Sequence, residues 1–261
     1  MITELQIETT NICNSNCQFC PRYALKDKGT MTDLLYEKIL LDAVKYNPKK
    51  IIPMGFGEPF CDPDFIERVK LINKILPDAT VDIYSNGSLI KDNHIRELAG
   101  IKNLSLRISL NAASRDTRKH IMGLDDFYRV FDTIEKIRDA GITLRLTMVF
   151  FPSVTMEEAA TFMSYPNPYV IMFQSFAGLT YRYRRTRPTN CCRIRDGFFI
   201  RYNGDVPLCC FDPTGRVVFG NLNDQTLEEI WQSEKHQVYV IAHANKQGQM
   251  MKLCENCAEG D

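Results

Sequence analysis

The sequence predicts an α/β fold, namely a partial (β/α)6 barrel of the TIM type followed by a small β-hairpin plus helix domain. Three observations predict it. Short β-rich runs alternate with helical stretches as far as residue 175, the apolar residues of those stretches recur at three and four positions, and the pattern changes after Phe176. We therefore expect two parts, residues 1–178 and residues 179–261.

The first part repeats a strand–helix unit. The strand candidates are Leu5–Glu8, Lys50–Met54, Val81–Tyr84, Leu104–Leu110, Thr143–Phe150 and Val170–Phe176. The helical stretches between them include Asp33–Tyr46, Asp64–Leu76, Asp125–Ala140 and Met156–Met163. In a barrel of this type the loops after the strands converge at one end, so we expect the chemistry to lie there.

The second part begins with little periodicity at residues 177–190 and continues as a hairpin. The run FFIRYNGDVPLCC predicts two strands that turn at Asn203-Gly204. A helix is predicted over Thr226–His243, with Asn223, Asp224 and Thr226 as candidate N-caps.

The composition excludes several classes of protein. The chain has 261 residues, 32 of them basic and 32 acidic, so its formal net charge is zero. A neutral chain lacks the general electrostatic attraction of a nucleic-acid or anionic-membrane binder. No apolar run approaches the roughly 20 residues of a membrane span, and the start has no signal-peptide pattern. We expect a soluble cytoplasmic protein with no membrane partner, and nucleic acid is disfavoured as a partner.

Ten cysteines are many for a cytoplasmic chain, and their clustering is informative. We call Cys13, Cys17 and Cys20 the front group, and the back group comprises Cys191, Cys192, Cys209, Cys210, Cys254 and Cys257. Clusters with gaps of two and three residues favour metal ligation over a disulfide framework. In the front group, three thiolates from one short loop can hold three irons of a [4Fe–4S] cube. A structural zinc site prefers four ligands, and no fourth cysteine or histidine lies near this loop in the sequence.

Several motifs carry a resemblance to a known family. The run CNSNCQFC resembles the CxxxCxΦC signature of the radical S-adenosylmethionine (radical SAM) superfamily, with Phe19 as its aromatic residue. GFGEP at Gly55–Pro59, SNG at Ser85–Gly87 and SLNA at Ser109–Ala112 end the next three predicted strands, as the family's motifs do. Phe56 departs from the family pattern, which often has glycine there.

The resemblance implies a SAM-binding [4Fe–4S] cluster on the front group and an external one-electron reductant such as flavodoxin or ferredoxin. It places Gly57 and Glu58 by the amine of SAM, and Ser109 and Asn111 by its ribose or carboxylate. The residues expected to bind this cofactor are Phe19, Gly55, Gly57, Glu58, Pro59, Ser85, Asn86, Ser109 and Asn111. Taken singly, each short motif is also explained as a turn or a strand end.

The back group is similar to the SPASM/twitch extension of the same superfamily. That resemblance assigns one auxiliary [4Fe–4S] cluster to Cys191, Cys209, Cys254 and Cys257, while the spacing alone leaves zinc open. Cys210 and Cys61 are candidate catalytic hydrogen donors, and the alternative for both is a buried structural thiol. Cys192 is either such a thiol or a hydrogen donor, and both Cys192 and Cys210 are alternatively substitute ligands.

An arginine-rich segment precedes and enters the back group. It holds Arg182, Arg184, Arg185, Arg187, Arg193 and Arg195 and no acidic residue. Such a segment could bind an anionic part of a substrate, remain a solvated loop, or offset the negative charge of a four-thiolate cluster.

The whole chain resembles the cyclitol-oxidising dehydrogenases of aminoglycoside biosynthesis. This implies generation of a 5′-deoxyadenosyl radical and hydrogen abstraction from a small polyhydroxylated molecule, which gives two-electron oxidation or a related epimerisation or dehydration. The alternatives are modification of a ribosomally made peptide and activation of a glycyl-radical enzyme. The non-enzyme alternative is a zinc-stabilised nucleic-acid-binding module.

Overall fold

Within the described residues, the main sheet of the protein is parallel and has seven strands. The computed structural model describes residues 2–172, Phe176 and residues 190–257. Its strands are β1 (Glu4–Ile7), β2 (Lys50–Ile52), β3 (Thr80–Ser85), β4 (Leu104–Ser109), β5 (Thr143–Phe150), β6 (Pro168–Met172) and β7 (Gly197–Ile200). Their spatial order is β6-β5-β4-β3-β2-β1-β7, which confirms the predicted α/β class.

Six helices connect or flank the first six strands. They are α1 (Asp33–Ala43), α2 (Phe65–Ile75), α3 (Asp92–Ala99), α4 (Arg115–Met122), α5 (Phe127–Asp139) and α6 (Met156–Met163). Hydroxyl side chains begin three of them, because Thr32, Ser114 and Thr155 each accept a hydrogen bond from a backbone amide of the first turn.

Alternation along the strands separates two faces of the sheet. One face packs with the helices in a single core, through residues such as Leu5, Ile51, Val81, Leu106 and Leu146. The other face, which we call the lumen, carries mostly polar residues at the alternate positions, such as Glu4, Gln6, Asp82, Arg107 and Arg145. The sheet therefore offers a polar interior surface beside its apolar core.

The turn predicted in FFIRYNGDVPLCC forms, but the prediction that its two strands pair with each other is wrong in the described structure. β7 pairs in parallel with β1, while β8 (Asp205–Pro207) pairs antiparallel with β9 (Val218–Asn221). The turn between β7 and β8 lies where predicted, since Gly204 has φ +88° and its amide donates to Arg201 O at 2.9 Å. Phe198 and Phe199 point to opposite faces of β7 and are both buried, so both faces of this strand are covered once it joins the main sheet.

The last predicted helix is two helices. After α7 (Cys192–Arg195), the chain forms α8 (Leu227–Gln232) and α9 (Glu234–Ala244), which are separated at Ser233. Ser233 has an extended ψ of 140°, and its hydroxyl accepts from the His236 amide at 3.3 Å. It therefore starts a new helix instead of continuing the old one.

Some predictions fall outside the described residues. One is the boundary at residues 178–179, and another is the stretch 173–175 of the strand predicted at Val170–Phe176. The others are the arginines Arg182, Arg184, Arg185 and Arg187. Across the part of the chain that the structure describes, we find no helix with the length and apolar character that a membrane crossing requires.

Candidate functional site

The front cysteine loop follows β1 and is held from two sides. On one side, the amides of Asn16 and Gln18 donate to carbonyls at the end of α4, both at 2.9 Å. On the other side, Ile12 O accepts a 2.9 Å hydrogen bond from the amide of Glu58 in the GFGEP segment. Backbone hydrogen bonds therefore hold the loop that carries the three thiols.

The glycines of GFGEP allow this close docking. A Cβ at Gly57 would lie 2.2 Å from Thr10 O and 2.7 Å from Ile12 O, so no larger residue fits without moving the backbone. A Cβ at Gly55 would collide with the side chain of Glu8. The departure at Phe56 is accommodated, because its ring packs edge-on against Phe199 with centroids 5.7 Å apart.

The front thiols are partly buried, and their chemistry fits a cluster that binds thiolates. Burial raises the pKa of Cys13 to about 12 and that of Cys17 to about 11, and it also raises the pKa of Cys20. Cys17 interacts electrostatically with both other thiols, which shows that the three lie together. A bound metal offsets the cost of ionising a thiol, so a [4Fe–4S] cluster fits this set of donors.

Glu58 joins the ends of β2 and β3. Its carboxylate accepts hydrogen bonds from Ser85 Oγ and from the Asn86 amide, both at 2.7 Å. Burial raises the pKa of Glu58 to about 7, although these hydrogen bonds oppose the rise. Three predicted cofactor residues therefore lie together, while their contact with SAM stays a prediction. Pro59 is buried and begins the short 3-10 turn Pro59–Cys61.

Asn111 and Ser109 lie at the end of β4, as expected. Asn111 has φ +55°, and its side-chain oxygen accepts from the Val149 amide at 2.9 Å. It thus has a structural task in joining β4 to β5. Ser109 is half-buried, with its hydroxyl 3.5 Å from that of Thr147.

Phe19 packs against Phe151 with ring centroids 6.0 Å apart, which places an aromatic pair beside the front loop.

Arg118 is a positioning residue that the sequence reasoning missed. Its side chain is fully buried, and it donates to Asn86 O at 2.8 Å and to Leu110 O at 3.0 Å. It also pairs with Asp126 at 2.7 Å. Arg118 therefore ties the loops after β3 and β4 together, and an arginine on the apolar side of a helix was its only signal.

Four back thiols from three segments converge. Burial raises the pKa of Cys209 well above its usual value, and nearby Cys210, Cys191 and Cys257 raise it further. Burial likewise raises the pKa of Cys254 to about 12, with contributions from Cys257 and Cys191. The predicted auxiliary ligands therefore lie within electrostatic reach of one another, and this thiol set also fits a cluster.

Among the residues that the structure describes, neither cysteine group is arranged to hold a single metal ion. Over the described ranges, no three His, Cys, Asp or Glu side chains are arranged to hold one metal ion. A cube binds each thiolate through a different iron, so its ligands stay farther apart than the ligands of one zinc ion.

Arg193 supplies positive charge at the back group. Its guanidinium lies over the ring of Phe211, 4.7 Å from the centroid. Burial acts to lower the pKa of Arg193, but the surrounding thiolates, with Cys210 first among them, raise it overall. This geometry favours the interpretation that an arginine of this segment offsets thiolate charge.

The two candidate hydrogen donors lie in different places. Burial raises the pKa of Cys61, which lies near Asn14 and Glu58 beside the front loop. Cys210 lies beside Arg193 and Glu4. The structure therefore groups each of them with a different cysteine group, and their roles as donors stay predictions.

The back group borders the lumen. A cavity of about 160 Å³ is lined by lumen residues of β1 and β7 and by back-group thiols, among them Glu4, Gln6, Phe199, Cys209 and Cys210. A redox centre on these thiols would therefore lie next to the interior surface of the barrel.

Comparison with known proteins agrees with this geometry. The chain matches the radical SAM superfamily over residues 7–165, more than half of its length, and the SPASM iron–sulfur cluster-binding domain over residues 191–258. A curated relative, "Probable GTP 3′,8-cyclase" from Saccharolobus solfataricus, is 37% identical over 145 residues. That match spans 54% of this chain and 45% of the relative, so it covers about half of each protein.

Solved structures share the whole fold. BtrN in complex with AdoMet and 2-DOIA has a TM-score of 0.66 at 16% identity, covering 99% of this chain and 94% of BtrN. SuiB of Streptococcus suis bound to the precursor peptide SuiA has a TM-score of 0.75 at 16% identity, covering 99% of this chain and 70% of SuiB.

These domains carry the cofactors that the motifs predict, S-adenosylmethionine with its [4Fe–4S] cluster and an auxiliary [4Fe–4S] cluster. They also favour a radical enzyme over a zinc-stabilised binding module. The chain belongs to the radical SAM superfamily and carries a SPASM iron–sulfur cluster-binding domain.

Proposed function

We propose that this radical SAM enzyme removes two electrons from a small polyhydroxylated molecule, sugar-like or cyclitol-like. The observation that carries the proposal is the position of the back thiols, because Cys209 and Cys210 line the same cavity as Glu4 and Gln6 of the lumen. An electron acceptor at the back group would therefore adjoin a substrate held in the lumen.

Cys13, Cys17 and Cys20 would hold the SAM-binding cluster, and Cys191, Cys209, Cys254 and Cys257 the auxiliary cluster. When bound, these groups would supply a 5′-deoxyadenosyl radical at the front and an electron acceptor at the back. A secondary alcohol that gives up one hydrogen atom, one proton and one further electron becomes a ketone. The protein's own part is to hold the substrate in the lumen and to exclude water.

The likeness to BtrN supports an interior that holds AdoMet and a second ligand together, since that structure contains AdoMet and 2-DOIA. We further propose that the enzyme works in the cytoplasm with a flavodoxin- or ferredoxin-type reductant. The clustering of its cysteines favours metal ligation over a disulfide framework, which suits a reducing compartment.

Two alternatives have specific support. The 37% identity to a GTP 3′,8-cyclase supports rearrangement of a nucleotide. The likeness to SuiB, solved with a precursor peptide, supports modification of a peptide. Epimerisation and dehydration of a small polyhydroxylated molecule are further outcomes of the same hydrogen abstraction.

The test is anaerobic turnover of the reconstituted enzyme with a panel of cyclitols, amino sugars, GTP and peptides. Oxidation predicts one 5′-deoxyadenosine for each ketone formed, measured by liquid chromatography and mass spectrometry. Cys254→Ala and Cys257→Ala should still release 5′-deoxyadenosine but form no ketone. Turnover of GTP or a peptide alone, or full oxidation by both variants, would overturn the proposal.

A further inference from the structure

A second, larger cavity opens on the lumen at the first halves of β4, β5 and β6. Its volume is about 570 Å³, within the usual range for small-molecule pockets. Its polar lining includes Ser105, Arg107, Thr143, Arg145, Asn167 and Tyr169. No described cysteine of the front or back group lines this cavity, so its binding properties depend on the side chains named above.

Two arginines of this cavity occupy neighbouring positions. Arg107 on β4 and Arg145 on β5 are register partners in the parallel sheet. Like charges placed opposite each other on adjacent strands destabilise a sheet unless an anion compensates them. Arg107 has such a partner, because its guanidinium pairs with buried Asp82 at 2.9 Å.

No carboxylate among the described residues neutralises the guanidinium of Arg145, so it is available to a ligand. Its side chain is exposed, and within the described residues it forms no ion pair with a carboxylate. The guanidiniums of both arginines lie against aromatic rings, Arg107 4.9 Å from the Tyr84 centroid and Arg145 5.6 Å from that of Tyr169. Stacking restrains the guanidinium plane and leaves its N–H edge for two parallel hydrogen bonds to an oxyanion.

We propose that Arg145, with Arg107 beside it, binds a carboxylate or phosphate group of the substrate. This inference deepens the proposed function and rests on it, because it makes the polyhydroxylated substrate an acid or a phosphate ester. Arg107 precedes Ser109 by two residues on the same strand, and Arg145 precedes Thr147 likewise. Two residues of strand span about 7 Å, so a bound anion would orient the remainder of a small substrate towards the strand ends.

The test is calorimetric titration of the reconstituted, SAM-loaded protein with two probes, inorganic pyrophosphate and succinate. We expect at least one probe to bind, and the one that binds identifies the oxyanion. Arg145→Gln should weaken that binding at least tenfold, and Arg145→Lys should weaken it less, because lysine keeps the charge but loses the fork.

The matched control is Arg138→Gln. Arg138 lies on α5 and is exposed next to Asp139, so its removal lowers the net charge equally without touching the lumen. Absence of binding by both probes, equal binding by Arg145→Gln, or an equal loss in Arg138→Gln would each overturn the anion site. Probe binding requires no turnover, so these failures are distinguishable from failure to form an oxidised product.

Discussion

The front and back cysteine groups collect similar donors by opposite means. The front group takes three thiols from a single loop, held by the end of α4 and by the Gly57 segment. The back group takes four thiols from three segments, and it forms only once β8, α7 and the turn Cys254–Asn256 have come together. A local loop sets the first ligand set, whereas long-range packing sets the second.

The two groups also differ in their surroundings. The front thiols are all half-buried, while Cys191 and Cys254 of the back group are buried. Arg193 lies directly among the back thiols, where a positive charge offsets several thiolates at once. This difference fits the proposal that the front site is open to SAM and that the back site serves as an electron acceptor.

The largest expected effect comes from removing the front group alone. Cys17→Ser should reduce the release of 5′-deoxyadenosine to background and lower the iron content from about eight to about four atoms per chain. Iron analysis and product quantification check both results. The control Gln18→Ala changes an exposed residue of the same loop, which hydrogen-bonds His120, and should retain both properties. Full iron content in Cys17→Ser would contradict the assignment of Cys17 to the front cluster, and loss of all iron would contradict the separation of the two groups.

Docking of the front loop is tested at Gly57. In Gly57→Ala the new methyl group would lie 2.2 Å from Thr10 O, so the loop must shift. We expect a loss of about 1–3 kcal/mol in the free energy of unfolding and selective loss of front-cluster iron. Urea denaturation and iron analysis measure these changes. Gly100→Ala is the control, because its nearest atom would be at an ordinary 3.5 Å. Equal effects of the two substitutions would show that docking is unimportant.

The charge environment of the back group is tested at Arg193. Arg193→Gln removes a positive charge beside the thiols, which disfavours the added electron. The auxiliary cluster's reduction potential should fall by on the order of 60 mV, the one-electron equivalent of a tenfold change. Arg193→Lys keeps the positive charge, so the reduction potential should fall less in this variant. Redox titration followed by electron paramagnetic resonance measures the potentials, and an unchanged value in Arg193→Gln would refute this role.

The smallest effect concerns Glu58 beside the front loop. Burial raises its pKa to about 7, so the folded chain holds a proton that the unfolded chain releases above about 4.5. Stability contributed by this group is therefore lost as the pH rises towards and through 7. Between pH 6 and 8.5 the wild-type protein should lose on the order of 1 kcal/mol more than Glu58→Gln. Parallel urea titrations at both pH values decide this, and identical pH dependence in the two proteins would contradict it.

Much of the site was predictable because it is local. The CNSNCQFC spacing puts three thiols on one loop whatever the rest of the chain does, and the motif at Gly55–Pro59 lies after β2 as expected. Arg118 was not predictable, because its partners at Asn86, Leu110 and Asp126 come from three different loops. The family resemblance places Asn111 at the cofactor, and the structure adds a backbone partner on β5.

The sequence by itself determined the α/β class, the front loop and the positions of the strand ends, since periodicity and short spacing are properties of neighbouring residues. Only the tertiary structure decided that β7 joins β1, that the back thiols meet beside the lumen, and that Arg107 and Arg145 lie side by side. These pairings unite segments far apart in the chain. They depend on which arrangement buries both faces of a strand such as Phe198–Phe199, and no local pattern records that choice.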